Sequence, residues 1–244
     1  MSRFLILVKG ELQRLNKYNV TTISFVVALL WFLLLYFIDD MDILAAMLPF
    51  VIIVDATMMS IIFIGAVMFF EKTESTFSTM LVTPVTNQEL ILSKAVANTI
   101  HNLLSSLLII LVFHLVKGVE VNWIFIIIAL IVSIFFHSLL GFVFSFYSKD
   151  FTSMLVGVMM YTFVFLIPSA LNFFGLVFKG EVWEHILLIA PTQSATKLIE
   201  LGFGADIAVK SIIAFVLLFG GSILGYKYFI LPKFKAYAVK QSGV

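Results

Sequence analysis

Asp55 is the one acidic residue that falls deep inside an apolar run of this 244-residue sequence. A carboxylate at membrane depth is expensive and as a rule faces protein or water, not lipid. Two kinds of chemistry are open to it. On a translocation path it would handle a proton or an ion. As a structural acid it would be hydrogen-bonded to Thr57, Ser60 or a neighbouring helix. Pro49 favours the second reading, because proline suits the first turn of a helix. A helix starting there would leave Asp55 near its outer end. Asn98, His101, Asn102 and Ser105 share one face at helical spacing. That face is either a polar lining for a substrate entrance or a set of hydrogen bonds between helices, and the second is the favoured reading. The four histidines are His101, His114, His137 and His185, and no two are three or four residues apart. They are not expected to share a metal. With no cysteine in the chain, disulfides, thiolate catalysis and cysteine-ligated metal are excluded. No P-loop, nucleophile elbow, zincin motif or dinucleotide fingerprint occurs, so no catalytic residue is assigned and no enzyme is expected.

The elements that must position these residues are dictated by composition. The chain is 62% hydrophobic and 12% charged, more apolar than a soluble domain of this size can cover. A bilayer core asks for about 20 apolar residues per helix. Six runs satisfy this: Val20–Ile38, Leu44–Phe70, Ala95–Val116, Trp123–Phe146, Met154–Phe174 and Val209–Ile230. They are continuous, whereas a β-barrel would alternate in segments of about ten residues. The expected fold is all-α: a polytopic membrane protein of six transmembrane helices in a single domain over residues 1–244. The first run lacks a small-residue cleavage site and is expected to remain as a span. Asp55 lies about eleven residues into the second run. Pro168 interrupts the fifth and is expected to kink it or make it discontinuous. Gly220, Gly221 and Gly225 could allow close helix packing in the sixth.

Lysine and arginine set the orientation. With the N-terminus inside, eleven of the fifteen fall on the cytoplasmic side, leaving Lys117, Lys179, Lys197 and Lys210 outside. Both termini are expected in the cytoplasm. Residues 1–19 read as an interfacial helix, with Phe4, Leu5, Val8, Leu12 and Leu15 at helical spacing, or as a plain basic segment that only sets topology. Residues 179–208 hold two short apolar runs, Val182–Ala190 and Ala195–Phe203, separated by Pro191 and Thr192. Neither can span, so a re-entrant or interfacial hairpin on the outer side is expected. No basic stripe points to nucleic acid.

The one long polar stretch on the cytoplasmic side is Glu71–Lys94, EKTESTFSTMLVTPVTNQELILSK. Residues 75–82 can form a short helix with Phe77, Met80 and Leu81 on one side. Pro84 ends it, because proline disfavours helix in the residue before. Thr86 or Asn87 can then cap a new helix, with Glu89 or Leu90 in its first turn. The alternative is a passive connector.

The order Glu71-Lys72-Thr73-Glu74-Ser75-Thr76-Phe77, then Leu81 to Val85, then Glu89-Leu90 and Lys94, resembles the cytoplasmic loop of type-2 ATP-binding-cassette exporter permeases. Ser75 stands where glycine is usual there, and Phe77 where leucine is more usual. Ala190-Pro191-Thr192 is similar to the family's outer small-Pro-Thr segment. The six runs, the amphipathic N-terminus and the cytoplasmic termini also fit. The resemblance implies a permease without a cofactor of its own, docked on separate ATPase subunits that carry ATP and magnesium. It implies a second permease copy or homologue and a bacterial cytoplasmic membrane. Glu71, Lys72, Glu74, Phe77, Met80, Leu81 and Pro84 would couple to the ATPase, and residues 1–19 would be an elbow helix. Substrate would pass along segments two and five, with Asp55 and Pro168 on the path, and leave past Pro191 and Thr192. The substrate class favoured is a hydrophobic drug or antimicrobial. The competing readings are an ion-gradient carrier or channel using Asp55, and a membrane scaffold.

Overall fold

The structure is a computed structural model that describes residues 2–74, 76 and 83–240. The expected membrane fold is present, and no strand occurs among the described residues. Helix α1 (Arg3–Lys17) starts at Ser2, whose hydroxyl accepts from the Leu5 amide at 3.4 Å. It meets α2 (Val20–Tyr36) at 66°. The bend is made at Asn19, which is left-handed at φ 58°. Asparagine is among the few residues with a side chain that adopt this conformation readily. α2 has 17 residues, or about 26 Å at 1.5 Å per residue.

Asp40 caps the next helix, α3 (Met41–Thr73), accepting from the amides of Asp42 and Ile43. Then come α4 (Asn87–Lys117), α5 (Trp123–Tyr147) and α6 (Phe151–Phe173). Two shorter helices follow, α7 (Glu181–Leu187) and α8 (Pro191–Gly202). α9 (Val209–Gly225) continues through a π-helical turn, Tyr226–Ile230, into α10 (Leu231–Lys240). Among the described residues five helices are long and apolar enough to cross a bilayer, or six if the bent α1–α2 pair is counted as one span. Both described ends of the chain share one face of the bundle with the connection from α3 to α4. That face is called here the termini face.

α3 is the central helix and is mostly enclosed by the others. The outward surface carries Phe25, Leu34, Leu104, Ile124, Met159 and Val216, all exposed. The interior is unusually polar, with Thr57, Ser60, Asn98, Asn102, Ser133 and Ser138 all buried. This is the arrangement expected when lipid surrounds the protein. Apolar groups gain little by leaving lipid, so close packing and hydrogen bonds hold the helices together.

One expectation is corrected. Pro49 does not start a helix: α3 begins at Met41, and Pro49 lies buried within it. Asp40 is the better cap, because its carboxylate reaches two free amides. Asp55 is therefore deep in the bundle. The two short runs form separate helices, with Pro191 at the boundary between them. It opens α8, where its missing N–H costs nothing.

α5 packs tightly against α3 at Gly141. A Cβ there would lie 2.8 Å from Ile64 Cβ and 2.9 Å from the Ile61 carbonyl. Gly141→Ala is expected to destabilise the bundle by about 1–3 kcal/mol through overpacking. Gly220→Ala, with open space at its Cβ, is expected to be neutral. Thermal unfolding of the two purified variants checks this; equal melting temperatures would contradict the assigned packing.

Candidate coupling site and the buried polar groups

α1 lies against the bundle on the termini face. Val8, Glu11 and Leu15 form its buried stripe. Glu11 is out of place in an apolar stripe, and its partners explain it. Lys94 Nζ, on α4, donates to both Glu11 oxygens at 3.0 Å. The same ammonium contacts the Glu71 carboxylate at the end of α3. Arg14 Nη1 lies 2.6 Å from Glu11 and 3.0 Å from Glu71. The side chains of Lys94 and Glu71 are 1% and 0% exposed. Two acids and two bases thus meet with no net charge. Burying them costs several kcal/mol per ion, and only mutual pairing offsets that cost.

Two further ties flank this cluster. At one end of α1, Lys17 Nζ donates to Glu74 at 2.8 and 2.9 Å, and the Tyr18 hydroxyl donates to the same carboxylate at 2.8 Å. The Lys17 and Tyr18 donors hold Glu74 below the usual carboxylate range. At the other end, Arg3 pairs with Glu89 at 2.6 Å and donates to the Pro84 carbonyl at 3.2 Å. Thr86 caps α4: its hydroxyl accepts from the Glu89 amide, and Glu89 accepts from the Thr86 amide. Lys72 points elsewhere and donates to the Lys149 carbonyl at 3.1 Å, which links the α3–α4 and α5–α6 connections.

The candidate loop residues therefore separate. Glu71 is buried against α1, Lys72 and Glu74 are near the surface with partners, and Pro84 is exposed. Phe77, Met80, Leu81 and most of the expected short helix lie outside the described residues. Glu11, Arg14 and Lys94 complete the cluster. A lone acid in an apolar stripe was the only signal for Glu11.

Asp55 opens a π-helical turn in α3, Asp55–Met59, and is 3% exposed. Its Oδ2 accepts from Ser106 of α4 at 2.7 Å. Thr57 and Ser60 bond instead to their own helix, donating to the Ile53 and Ala56 carbonyls at 2.7 Å each. Asn98 of α4 donates to Ser138 of α5 at 2.7 Å and to the Ser60 carbonyl at 3.1 Å. Asn102 donates to the side chain and carbonyl of Asn98. Ser105 receives a bond from Ser24 of α2 at 3.1 Å, and His101 packs edge-on to Phe63. The polar face of α4 thus bonds to three neighbouring helices. His137, fully buried, is bonded to the Ser133 carbonyl and the Tyr161 hydroxyl.

Pro168 does not break α6. A second π-helical turn, Thr162–Leu166, precedes it. The Phe165 carbonyl then accepts from Ser169 at 2.7 Å and from Thr192 of α8 at 2.8 Å. The Phe165 carbonyl, three residues before Pro168, thus takes two side-chain hydroxyls. Thr162 also contacts Met58 at 3.4 Å, so the two π turns touch. Gln193 of α8 donates to Asn172 at 2.7 Å. α8 is largely buried while α7 has no buried residue, so only the second limb of the hairpin re-enters the bundle.

An all-helical membrane bundle with a bent N-terminal helix clamped to the ends of two spans is the architecture of a permease, not of an ATPase. The model of the ABC-2 type transporter family matches residues 2–173, from α1 through α6. The chain belongs to that family and is a permease component of an ATP-binding-cassette transporter. No curated protein matches it.

Lys94→Met would leave Glu11 and Glu71 with Arg14 alone. A cost of about 3–5 kcal/mol is expected, the usual result of breaking a buried pair from one side. Lys94→Met combined with Glu71→Gln should recover much of it, because the charges again balance. Melting temperature and amide exchange in α1 report both effects; a double variant no better than the single would refute the balance.

Proposed function

We propose that this chain is the membrane-spanning subunit of an exporter whose ATP is hydrolysed, with magnesium, on a separate ATPase. The observation that carries this reading is the buried Glu11–Arg14–Glu71–Lys94 cluster. It joins α1 to both limbs of the 71–94 loop, so a push on the loop is delivered to α1, α3 and α4 together. In this reading Phe77, Met80 and Leu81 meet the ATPase, with Lys72, Glu74 and Pro84 at their flanks. Glu71 acts from within by holding the first limb.

The termini face is taken as cytoplasmic on the lysine and arginine distribution, in a bacterial cytoplasmic membrane. Two permease copies, or two related ones, form the working unit. The path follows α3 and α6, where the π turns carrying Asp55 and preceding Pro168 meet. Substrate leaves past α7 and α8, beside Pro191 and Thr192. The favoured substrate is a hydrophobic or amphipathic compound such as a drug or antimicrobial. Support for this is the adaptable apolar face of α6, where Met159, Met160 and Phe163 are exposed.

Co-expression with a P-loop ATPase encoded beside this chain is expected to give a stable complex with ATPase activity. Phe77→Asp is expected to abolish docking and leave membrane insertion intact. Co-purification that survives the substitution would count against the loop as the docking element. Asp55→Asn can still accept from Ser106 and cannot exchange a proton. Transport is expected to be unchanged in that variant. Lost transport with intact ATP hydrolysis would favour ion coupling.

A further inference from the structure

A second apolar feature of the bundle ends at a cation. A groove of about 330 Å³ runs between α5 and the helix that begins with α9. Phe136, Leu140 and Val143 form one wall, and Gly221, Gly225 and Phe229 the other. The glycines create it. Gly221 comes against the Phe136 ring, while nothing lies within 4 Å of a Cβ built on Gly225. The eight steps from Gly221 to Phe229 rise about 12 Å, close to the roughly 15 Å depth of one leaflet's hydrocarbon.

At the termini face the groove closes on Phe229. Lys233 Nζ sits 3.8 Å from the centroid of that ring and 4.7 Å from the Tyr147 ring, in contact with the Tyr147 hydroxyl. Among the described residues Lys233 is in no ion pair. Tyr147 is 65% exposed. An apolar slot nearly one leaflet deep, capped by a lysine ammonium and a tyrosine hydroxyl, matches an anionic lipid in size and is complementary to it in charge.

We infer that this is a binding site for an anionic glycerophospholipid, with one acyl chain in the α5–α9 groove and the phosphate at Lys233 and Tyr147. The chain supplies affinity through apolar burial, and Lys233 supplies preference for negative charge. One basic residue near an anionic headgroup is worth roughly fivefold in binding. The site also bears on the rest of the molecule. α10 begins immediately after Ile230, and its Phe234 packs with Leu90 and Ile91 at the start of α4. A bound lipid would brace that helix from the membrane side. The inference rests on the membrane placement of α5 and α9 and is independent of any ATPase.

The test uses the full chain in neutral detergent, titrated with dioleoyl phosphatidylglycerol or dioleoyl phosphatidylcholine. Retained lipid is counted by native mass spectrometry. The expected result is about fivefold stronger retention of phosphatidylglycerol. Lys233→Gln should erase that preference, and Gly225→Leu, which fills the slot, should reduce retention of both lipids. Inorganic phosphate at equal concentration should not displace bound lipid. Equal retention of the two lipids by the unaltered protein, a preference that survives Lys233→Gln, or displacement by phosphate alone would each overturn the site.

Discussion

Charge that leaves water must be matched where it goes, and that constraint organises the termini face. Glu11, Arg14, Glu71 and Lys94 come from three separate helices, and all but the partly exposed Arg14 are buried. Their pairing fixes where α1 lies, at what depth α3 ends and how α4 begins. The surface ties of Lys17 to Glu74 and Arg3 to Glu89 are weaker, since water and salt screen exposed pairs. They align α1 along the loop but could not hold it. The left-handed Asn19 then lets α2 turn into the membrane from a helix whose position is already set.

A second constraint governs the interior. Every backbone carbonyl in the hydrocarbon region needs a donor, and the π turns of α3 and α6 disturb the regular ladder. Short hydroxyl side chains answer the disturbance: Thr57 and Ser60 in α3, Thr162 and Ser169 in α6, and Thr192 from α8. The serines and threonines scattered through the apolar runs are thus used largely to complete backbone hydrogen bonding. Asn98 does more, since it joins α3, α4 and α5 at one point.

The sequence made the spans legible because apolar run length is a one-dimensional signal. The start of α4 was legible to within a residue, as a cap by Thr86 or Asn87, because capping is a local pattern; the structure selects Thr86 with Glu89. The proline at 49 misled because a permitted helix start is not a required one, and Asp40 competed for it with a better cap. What stayed hidden was pairing across distance. Glu11 and Lys94 are 83 residues apart, and Asp55 and Ser106 are 51 apart. Nothing in either local pattern announces its partner. The polar face of α4 was visible, and hydrogen bonding between helices was its favoured use, but the helices it reaches could only be seen in three dimensions. The loop residues 77, 80 and 81 stand on resemblance and on their apolar character.

The four-charge cluster also bears on how the chain is made. Synthesis delivers Glu11 and Arg14 together on one helix, where they pair at 2.6 Å three residues apart. Glu71 and Lys94 arrive much later but close to each other, 23 residues apart on adjoining helices. Each half is electrically neutral before it meets the other. The N-terminal helix can settle at the bilayer surface without an orphaned acid, and the later hairpin can insert without an orphaned base. Assembly then joins two neutral pieces, each keeping its own pair and gaining contacts to the other, so neither piece needs the other to balance its charge.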